Sequence, residues 1–591
     1  MSLTDSSVTG IRAALEKILS SPGFRNSERM RRFLRTTVER TLDGAVDQLK
    51  EFSLGHDVFD RGEHYDPRTD SIVRVEARRL RKKLRAYYDG DGRLDEFVIQ
   101  FHPGNYIPVF SLAAAALPAE AETRPDPKTI AVLPFANLSS DPEQNYFCDG
   151  ISEDIIDALS TVPDLRVLGR GTTFLLHDPA LNPVSDPREI GAALNVGTIV
   201  EGSVRKSGGM LRVSARLIDT KTGHVRWSTT VDRPETDIFA IKDEIATAIA
   251  ANLCDQVSAR VRLPSPAPSI EAYALYLQGR HAANRLDIEG YRIAIDYYTR
   301  AIAEFPDYAP PYSGMADVYT AMTSWSMARP SSVMPIAKRA AEDALRLDPG
   351  LAHAYTSLAW VVFCYEWNWT EGLALAQKAL ALEPNYAYGQ MALGAFYMVL
   401  GRIPEAREKL ELSLALNPLS IRAHRLLGYA LTMEGKFEES NRRLQTARAI
   451  MPDSHELAWM MATVYLAQGR IAQGLRYARE CQTDPPVPRM VAMLVEALAK
   501  AGQQDEARLL LLQLEEMSSR EYVDCWSFCR VHMALGDPEK AIGFLERSFE
   551  ERSTLALFAP IDPALEPLRS DPRFKDLIAS LGLPRPQVAK S

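Results

Sequence analysis

The stretch AYGQMALGAFYMVLGRIPEAREKLELSLALNP, residues 387–418, is one cycle of a pattern that recurs through the second half of the chain. A glycine in each cycle is followed five positions later by a small residue, and successive glycines are 33 or 34 residues apart. The glycines are Gly401, Gly435, Gly469, Gly502 and Gly536, the small residues are Ala406, Ser440, Gly474, Ala507 and Ala541, and prolines recur at Pro384, Pro418 and Pro452. The glycine is expected to end one helix, the small residue to let the next helix approach closely, and the proline to stop that second helix. This recurring pattern predicts stacked helical hairpins.

This cycle resembles the tetratricopeptide repeat. The residues that match the signature of that repeat are Leu393, Gly394, Tyr397, Ala406, Leu410 and Pro418. The resemblance implies an α-solenoid over residues 270–590, built of about eight hairpins and closed by a C-terminal cap. It also implies a partner protein or peptide, because stacked hairpins present an extended concave surface.

The first cycles of the solenoid are less regular than the later ones. Pro306 and Pro349 stand 43 residues apart, which predicts an insertion around Thr323–Val333 that bulges from one hairpin. A dense aromatic group follows, made of Trp360, Phe363, Tyr365, Trp367 and Trp369. Two interpretations of this group stay open, namely packing between helices and a peptide anchor on the concave surface.

The central region, residues 128–258, alternates strand and helix patterns. The run TIAVLPF predicts a strand, residues 151–162 and 187–196 predict helices, and three strands separated by glycine turns follow. The order predicts an α/β domain with a mixed sheet. The runs IAVLPFANLSSDPEQNYFCDGISEDIIDAL and VEGSVRKSGGMLRVSARLIDTKTGHVRW resemble the TolB amino-terminal-like domain, a family better known as a module than as a catalyst.

One segment near the N-terminus departs from the acidic character of the chain. The formal net charge is −9, yet VRVEARRLRKKLRAYY, residues 73–88, has seven Lys/Arg against one Glu. On a helix of about 100° per residue, one side holds Val73, Ala77, Leu80, Leu84 and Tyr88, and the adjacent stripe holds Arg74, Arg78, Arg81, Lys82 and Arg85. The segment predicts a helix that buries one face and offers cations from another, although a merely solvated charged face is the alternative.

The run FVIQFHPGNYIPVF, residues 97–110, has the alternation and turn residues of a hairpin. Together, VRVEARRLRKKL and PGNY resemble the recognition helix and wing of the OmpR-type effector domain. The resemblance implies an α+β winged helix over residues 1–110 that binds double-stranded DNA through residues 73–106. The residues it implies in DNA contact are Arg74, Glu76, Arg78, Arg79, Arg81, Lys82, Arg85 and His102. Pro103 and Ile107 depart from the family pattern, so the wing is expected to grip phosphate weakly.

Residues 111–127 are small, proline-containing and acidic, which predicts a linker. No run is apolar for long enough to span a bilayer, and the N-terminus lacks the apolar core of a signal peptide, so we expect neither membrane insertion nor export. Six scattered cysteines without zinc or redox spacing predict reduced thiols and a cytoplasmic location.

The sequence carries no motif of catalytic, cofactor-binding or metal-binding type. The patterns GxxxxGK[ST], HExxH and GxSxG are absent, and we predict neither an enzyme nor a cofactor. The preferred interpretation is a mostly α, multidomain transcriptional regulator that binds DNA at its N-terminus and a partner protein on its solenoid. The alternative is a non-catalytic signalling scaffold or accessory protein with a degenerate winged helix. The same module and repeats accompany class III adenylyl cyclases, so a cyclase name could reach this chain by similarity alone.

Overall fold

The chain forms two compact units, Met1–Arg124 and Pro125–Ser591. Its structure is a computed structural model, and each unit is described by itself. The residues that the structure describes are 5–25, 27–43, 48–59, 61–62, 65, 70, 72–92, 95, 97–101, 106–112, 126, 128–139, 141, 145–162, 164–176, 186–253, 268–451 and 454–584.

The first unit combines helices with a two-stranded sheet. Its elements are α1 (Asp5–Ser20), α2 (Pro22–Arg25), α3 (Glu28–Leu42), α4 (Glu51–Phe59), α5 (Ile72–Asp89), β1 (Phe97–Gln100) and β2 (Val109–Leu112). The two strands are antiparallel, with Phe97 opposite Leu112. The predicted hairpin is therefore present, and its second strand ends two residues later than the pattern indicated.

The helix α5 contributes one face to the core of this unit. Val73, Ala77, Leu80 and Leu84 are buried against side chains of the other helices, as the helical wheel predicted. Tyr88, expected on the same face, is half-buried, and its hydroxyl accepts a hydrogen bond of 2.7 Å from the backbone N–H of Ile99. This bond ties the end of α5 to β1.

A mixed sheet forms the start of the second unit. Its strands are β3 (Thr129–Val132), β4 (Ala136–Asn137), β5 (Arg166–Val167), β6 (Thr198–Ser207), β7 (Met210–Asp219) and β8 (Val225–Pro234). The order is β5-β3-β6-β7-β8, with β4 also beside β6. The pairs β3–β5 and β3–β6 are parallel, whereas β6–β7 and β7–β8 are antiparallel. The prediction of a mixed sheet in the central region is confirmed.

Helices pack on one face of this sheet and, near β3, also on the other face. The helices are α6 (Asn145–Ser160), α7 (Arg170–Leu176), α8 (Pro187–Leu194) and α9 (Ile238–Leu253). Apolar residues of α6 and α9 pack on the first face, and Ile190 and Leu194 of α8 pack on the second near β3. Beyond α8 the second face carries polar pairs, among them Arg212 with Asp232 at 2.7 Å. Such a face is typical of antiparallel strands exposed to solvent.

Helical hairpins make up the rest of the second unit. They are α10 (Ile270–Ala283), α11 (Ile288–Glu304), α12 (Ala309–Ser324), α13 (Pro330–Leu347), α14 (Ala352–Trp360), α15 (Trp369–Leu382), α16 (Ala387–Val399), α17 (Ile403–Leu416), α18 (Ile421–Met433), α19 (Phe437–Ile450), α20 (His455–Ala467), α21 (Ile471–Glu480), α22 (Pro488–Lys500), α23 (Gln504–Ser518), α24 (Cys525–Ala534), α25 (Pro538–Glu550) and a final helix α26 (Pro572–Ser580). Within the described ranges, none of the helices is both long and apolar enough to cross a bilayer.

The recurring glycines lie where the first helix of a hairpin turns into the second. Gly401 has φ of 71°, a conformation that is costly for residues with a Cβ, and an added Cβ would meet no atom within 4 Å. Gly394 is required for a different reason, because a Cβ there would lie 2.8 Å from the Leu410 side chain of the partner helix. The predicted turn glycine is confirmed, and so is the close helix approach at a predicted small residue, because a Cβ on Gly474 of α21 would lie 2.5 Å from the Leu466 side chain of α20.

The sheet and the solenoid share one hydrophobic core. Tyr273 and Leu277 of α10 are buried among residues of α6 and α9, including Ile155 and Ile245. We call the mixed sheet together with α6 to α9 the central module. The helix α10 is therefore both the first helix of the solenoid and a layer of the central module. Further along, Asn385 donates to the carbonyl of Val162 at 3.2 Å, and the Gly169 N–H donates to the carbonyl of Leu416 at 2.7 Å.

The carboxylate of Asp154 joins three helices at this shared core. It accepts hydrogen bonds from Tyr273 at 2.6 Å and Arg280 at 3.0 Å on α10, and from Lys242 at 2.8 Å on α9. Burial alone raises the pKa of Asp154, but the two cations outweigh it, and the pKa lies below its usual value. The carboxylate thus stays charged inside the protein.

We predict that Asp154→Ala destabilises the second unit by about 3 kcal/mol, because it leaves Lys242 buried without its counter-charge. The measurement is the urea midpoint followed by circular dichroism. Asp232→Ala is the matched control, since it removes the partner of Arg212 on the exposed face of the sheet and should shift the midpoint far less. Equal shifts for the two variants would contradict a stabilising role of the buried network.

Candidate functional site

The residues predicted to contact DNA lie on α5, within the first unit. Arg74, Arg78, Arg79 and Lys82 are exposed, and Arg81 is half-buried. Burial lowers the pKa of Arg81 below its usual value. The side chain of Arg85 and the whole of His102 lie outside the described residues, as does Pro103 of the predicted wing.

Ion pairs engage some of these cations and not others. Arg79 pairs with Glu76 at 2.6 Å, and Arg74 pairs with Glu51 of α4 at 3.1 Å. The Glu76 side chain is only 12% exposed, and its carboxylate pairs with Arg79 on the same helix. Among the described residues, Arg78 and Lys82 have no such partner. The exposed charge of α5 therefore centres on these two side chains, and the DNA contacts stay a prediction.

A cavity on the inner surface of the solenoid brings together residues from successive first helices. Arg425 and Tyr429 come from α18, Trp459 from α20, Met493 from α22 and Arg530 from α24. The further lining residues are Ser324, Trp325, Ser326, Met398, Leu426, Thr463, Arg489, Ala492, Glu496, Trp526, Ser527, Leu555, Phe558 and Asp562. Aromatic rings and guanidinium groups thus line the same space.

The insertion predicted around Thr323–Val333 forms one wall of this cavity. We call residues 325–329, between α12 and α13, the strap. Two guanidinium groups lie near the Trp325 ring, that of Arg422 at 5.2 Å and that of Arg489 at 5.3 Å from its centroid. Cations over the faces of an indole ring are attracted by its quadrupole, so these contacts hold the strap against the inner surface.

The strap also contacts the far end of the solenoid. The Ser326 hydroxyl donates to Asp524, which caps α24, at 3.2 Å, and Arg329 pairs with Glu551 after α25 at 3.1 Å. Ser326 has φ of 56°, a left-handed conformation at the point where the strap turns toward Asp524. The insertion is thus a connection across the solenoid and not a free bulge.

Two of the three cavity arginines have carboxylate partners. Arg530 is buried and bonds bidentately to Glu496 at 2.8 and 2.9 Å, and also pairs with Asp562. Arg489 pairs with Glu456 of α20. Within the described ranges, the contact of Arg425 is with the ring of Trp459, 5.8 Å from its guanidinium, and no carboxylate pairs with it. Burial, with Arg422 nearby, lowers the pKa of Arg425 to about 10.

The aromatic group at 360–369 belongs to the core and not to the cavity. The Phe363 ring is stacked on Phe396 at 4.1 Å and meets Trp369 edge-on at 4.9 Å. The indole N–H of Trp369 donates to the carbonyl of Leu581 at 3.1 Å. Of the two open interpretations, packing between helices is therefore correct.

The cavity residues belong to none of the sites predicted from the sequence. One signal was available, since Arg422, Arg425 and Tyr429 stand three and four positions apart on a first helix and therefore share one face. The strap supplies the remaining wall from a distant part of the chain, which no local pattern indicates.

A second cavity lies at the seam between the central module and the first hairpins. Asp157 of α6, Asp317 of α12, and His353 and Glu383 around the next hairpin face it. His353 stacks on Tyr386 at 4.3 Å and lies 3.6 Å from Glu383. Burial alone lowers the pKa of His353, but Glu383, with Asp157 and Asp317, raises it to about 9.

The profile of the tetratricopeptide repeat matches residues 455–480, which are the hairpin α20–α21. Residues 455–480 are a tetratricopeptide repeat. Trp459 and Thr463 of the cavity lie on its first helix. This repeat type is associated with binding of proteins and peptides on the surface of a solenoid.

A curated protein of Rhizobium meliloti strain 1021, named putative adenylate cyclase 3, is 31% identical over 302 residues. The aligned part is 50% of this chain and 43% of that protein, so the chain spans less than half the length of this relative.

Among solved structures, yeast Tom70 matches 58% of this chain and 82% of its own, at 15% identity and a TM-score of 0.36. YrrB, described as a TPR protein with an unusual peptide-binding site, matches 31% of this chain and 90% of its own, at 21% identity and a TM-score of 0.23.

The raised pKa of His353 predicts a stability that depends on pH. Its folded-state pKa of about 9 exceeds the ordinary value of 6.5, so its stabilising contribution is complete below pH 6.5 and is lost as the pH rises toward 9. His353→Gln should flatten this part of the profile of urea midpoint against pH. His224→Gln, at an exposed turn before β8, is the control and should leave the profile unchanged. A wild-type profile that is flat from pH 6.5 to 9 would refute the prediction.

Proposed function

We propose that this chain is a non-catalytic interaction protein whose solenoid binds a segment of a partner protein on its inner surface. The observation that carries the proposal is the cavity beneath the strap. It is lined by Tyr429, Trp459 and Trp526, residue types that dominate the energy of protein recognition, together with the guanidinium of Arg425, which pairs with no carboxylate of the described part of the chain. The tetratricopeptide repeat at 455–480 supports the same class of function.

Photo-crosslinking tests this proposal in the full chain. We expect p-benzoylphenylalanine at Phe558 or Ser527, both at the cavity, to capture the same protein from cells of the source organism. Phe558 is half-buried at the edge of the cavity, so the added benzoyl group can extend into free space. Identification of the captured band by mass spectrometry gives the partner.

Leu509 is the matched control position for the crosslinker, because it is an apolar residue that is 68% exposed and does not line the cavity. Capture from Phe558 and Ser527 but not from Leu509 supports binding at the inner surface. Capture from Leu509 alone would place the interaction on α23 and would exclude the cavity.

A second candidate function is DNA binding by the first unit, as the resemblance to the OmpR-type effector domain implies. The observation that favours it is the set of exposed cations on α5 next to an antiparallel hairpin, with Arg78 and Lys82 unpaired among the described residues. Cations of this kind would neutralise phosphates, and Arg79 would reach base edges only after releasing Glu76.

We predict that Arg78→Ala/Lys82→Ala weakens duplex DNA binding of the full chain and makes the negative slope of log affinity against log salt shallower by about two. Fluorescence anisotropy at several salt concentrations gives both quantities. Arg12→Ala/Arg35→Ala is the matched control, because these two arginines already pair with Glu39 and Glu16. If both double variants bind as the wild type does, or if the wild type does not bind DNA, the α5 proposal is wrong.

The roles of the remaining parts follow from the same proposal. The central module, which resembles the TolB amino-terminal-like domain, would position the first hairpin through the shared core, and the adenylate cyclase name of the relative would reflect common repeats and module. A cytoplasmic location fits the unpaired thiols at Cys148, Cys364, Cys481, Cys525 and Cys529.

A further inference from the structure

The second cavity is large enough for a small molecule. It lies between α6 and α9 of the central module and the hairpins from α10 to α15, and we call it the seam cavity. Its volume is about 560 Å³, within the range of roughly 300–1,000 Å³ that is usual for small-molecule sites. Among the described residues, its walls hold six carboxylates and three cations, namely Asp154, Asp157, Asp243, Asp317, Asp348 and Glu383 against Lys242, Arg280 and His353. The cavity is therefore acidic even with His353 protonated.

Carboxylates of the same cavity already engage its three cations. Lys242 and Arg280 both pair with Asp154, at 2.8 and 3.0 Å. His353 lies 3.6 Å from Glu383. The cations of the seam cavity are thus largely neutralised within it.

Asp157 and Asp317 face the seam cavity without a cation of their own in the described ranges. Asp317 of α12 is exposed to the cavity, and its carboxylate makes no ion pair or hydrogen bond with the described residues. Asp157 of α6 lies 3.6 Å from Arg280, whose guanidinium already bonds to Asp154. Burial raises the pKa of Asp157 to about 6, because the positive charges nearby offset it only in part. A cation that entered the cavity would stabilise both carboxylates in their charged form.

Three hydroxyl groups of the seam cavity have no hydrogen-bond partner among the residues that the structure describes. They belong to Tyr298, Tyr308 and Ser313, which are 2%, 3% and 5% exposed. A buried hydroxyl without a hydrogen bond raises the free energy of the folded state, so a ligand that bonds to it is favoured. The ring of Tyr276 lies 6.0 Å from that of Tyr298 and 5.6 Å from that of Tyr308, which makes an aromatic wall beside these hydroxyls. Such a wall attracts a cation to the faces of its rings.

We propose that the seam cavity binds a small organic cation with N–H donors, such as a protonated aliphatic diamine, between Asp157 and Asp317. The carboxylates supply the charge, and the hydroxyls of Tyr298, Tyr308 and Ser313 accept hydrogen bonds from the ammonium groups. This site is distinct from the cavity beneath the strap, so the proposal goes beyond partner binding and does not depend on it.

Other classes of ligand fit this cavity less well. Within the described part of the chain, no group of three acidic, histidine or cysteine side chains is placed to hold a metal ion. An anion would meet the excess of carboxylates. A quaternary ammonium ion has no N–H and would leave the three hydroxyls without a bond, whereas a neutral polyol would leave the charge of Asp317 unmatched.

Isothermal titration calorimetry with the full chain tests the proposal, with putrescine as the probe. Butanediol is its neutral isostere, and tetramethylammonium is a cation without N–H. We expect putrescine to bind about tenfold or more tightly than either, because it alone makes charge-assisted hydrogen bonds. Putrescine should also raise the urea midpoint of the chain, because it binds the folded state and not the unfolded one.

Three variants assign the binding to the seam cavity. Asp157→Asn and Asp317→Asn keep the shape of the side chain and should each weaken putrescine binding about tenfold. Tyr298→Phe removes one hydroxyl and should weaken binding about threefold or more. Asp296→Asn on α11 is the matched control and should bind as the wild type does, because this exposed carboxylate pairs with Arg300 at 3.6 Å and does not line the cavity.

The stability of the ligand-free chain separates a binding role from a structural one. Asp317→Asn and Tyr298→Phe each remove a polar group that makes no bond within the described chain, so the urea midpoint without putrescine should stay the same or rise. Loss of binding together with such a midpoint supports the proposal. A lower midpoint for both variants would show that these two side chains stabilise the fold and would overturn it.

Other results would also overturn the proposal. Equal binding of putrescine and butanediol would show a site for neutral polyols, and equal binding of tetramethylammonium would show that the hydroxyls accept no hydrogen bond. Competition by Mg²⁺ at constant ionic strength would show a metal site. Unchanged putrescine affinity in both aspartate variants, or no binding by the wild type, would show that the seam cavity does not take an amine.

Discussion

A buried carboxylate stays charged only when cations and hydrogen-bond donors surround it, and Asp154 obtains these from α9 and α10 while lying on α6. The helix α10 cannot leave the central module without taking two of these donors, Tyr273 and Arg280, away from the carboxylate. Each later hairpin stacks on the one before it, so the position of α10 determines the position of the whole solenoid. The docking of Asn385 and Gly169 further along depends on that first placement.

Local patterns were enough to predict some elements of both units, including α5, the strands β6 to β8 and the regular hairpins of the solenoid. The alternation of β6, β7 and β8 and the spacing of Gly401 and its counterparts depend on neighbours within one hairpin, and the structure contains both. The shared core at Tyr273 and Leu277 was not predictable in the same way, because their partners on α6 lie more than a hundred residues earlier in the chain. The strand–helix alternation and the helical repeats are different patterns, so the sequence predicts two domains, although the central module and the solenoid share one hydrophobic core.

In the candidate sites, too, some features follow from the local sequence and others depend on residues elsewhere in the fold. The face of α5 that carries Arg78 and Lys82 follows from helical periodicity, and so does the alignment of Arg422 with Arg425. The pairing of Glu76 with Arg79 and the partners of Arg530 required side-chain positions that the periodicity does not specify. Charge composition alone therefore overstated the unpaired charge of α5 and gave no sign that Arg425 pairs with no carboxylate among the residues that the structure describes.

The strap gives the solenoid a contact between distant hairpins, which an open array of repeats does not have. An open array of hairpins behaves as a one-dimensional chain, in which the last repeats unravel without disturbing the first. The bond from Ser326 to Asp524 joins positions 198 residues apart and turns the array into a closed loop of contacts. Fraying at the start of α24 then has to break a contact made by the strap, which couples the stability of these two distant parts of the solenoid. The contact therefore fixes the curvature of the inner surface in the absence of ligand, so that the binding surface is preorganised.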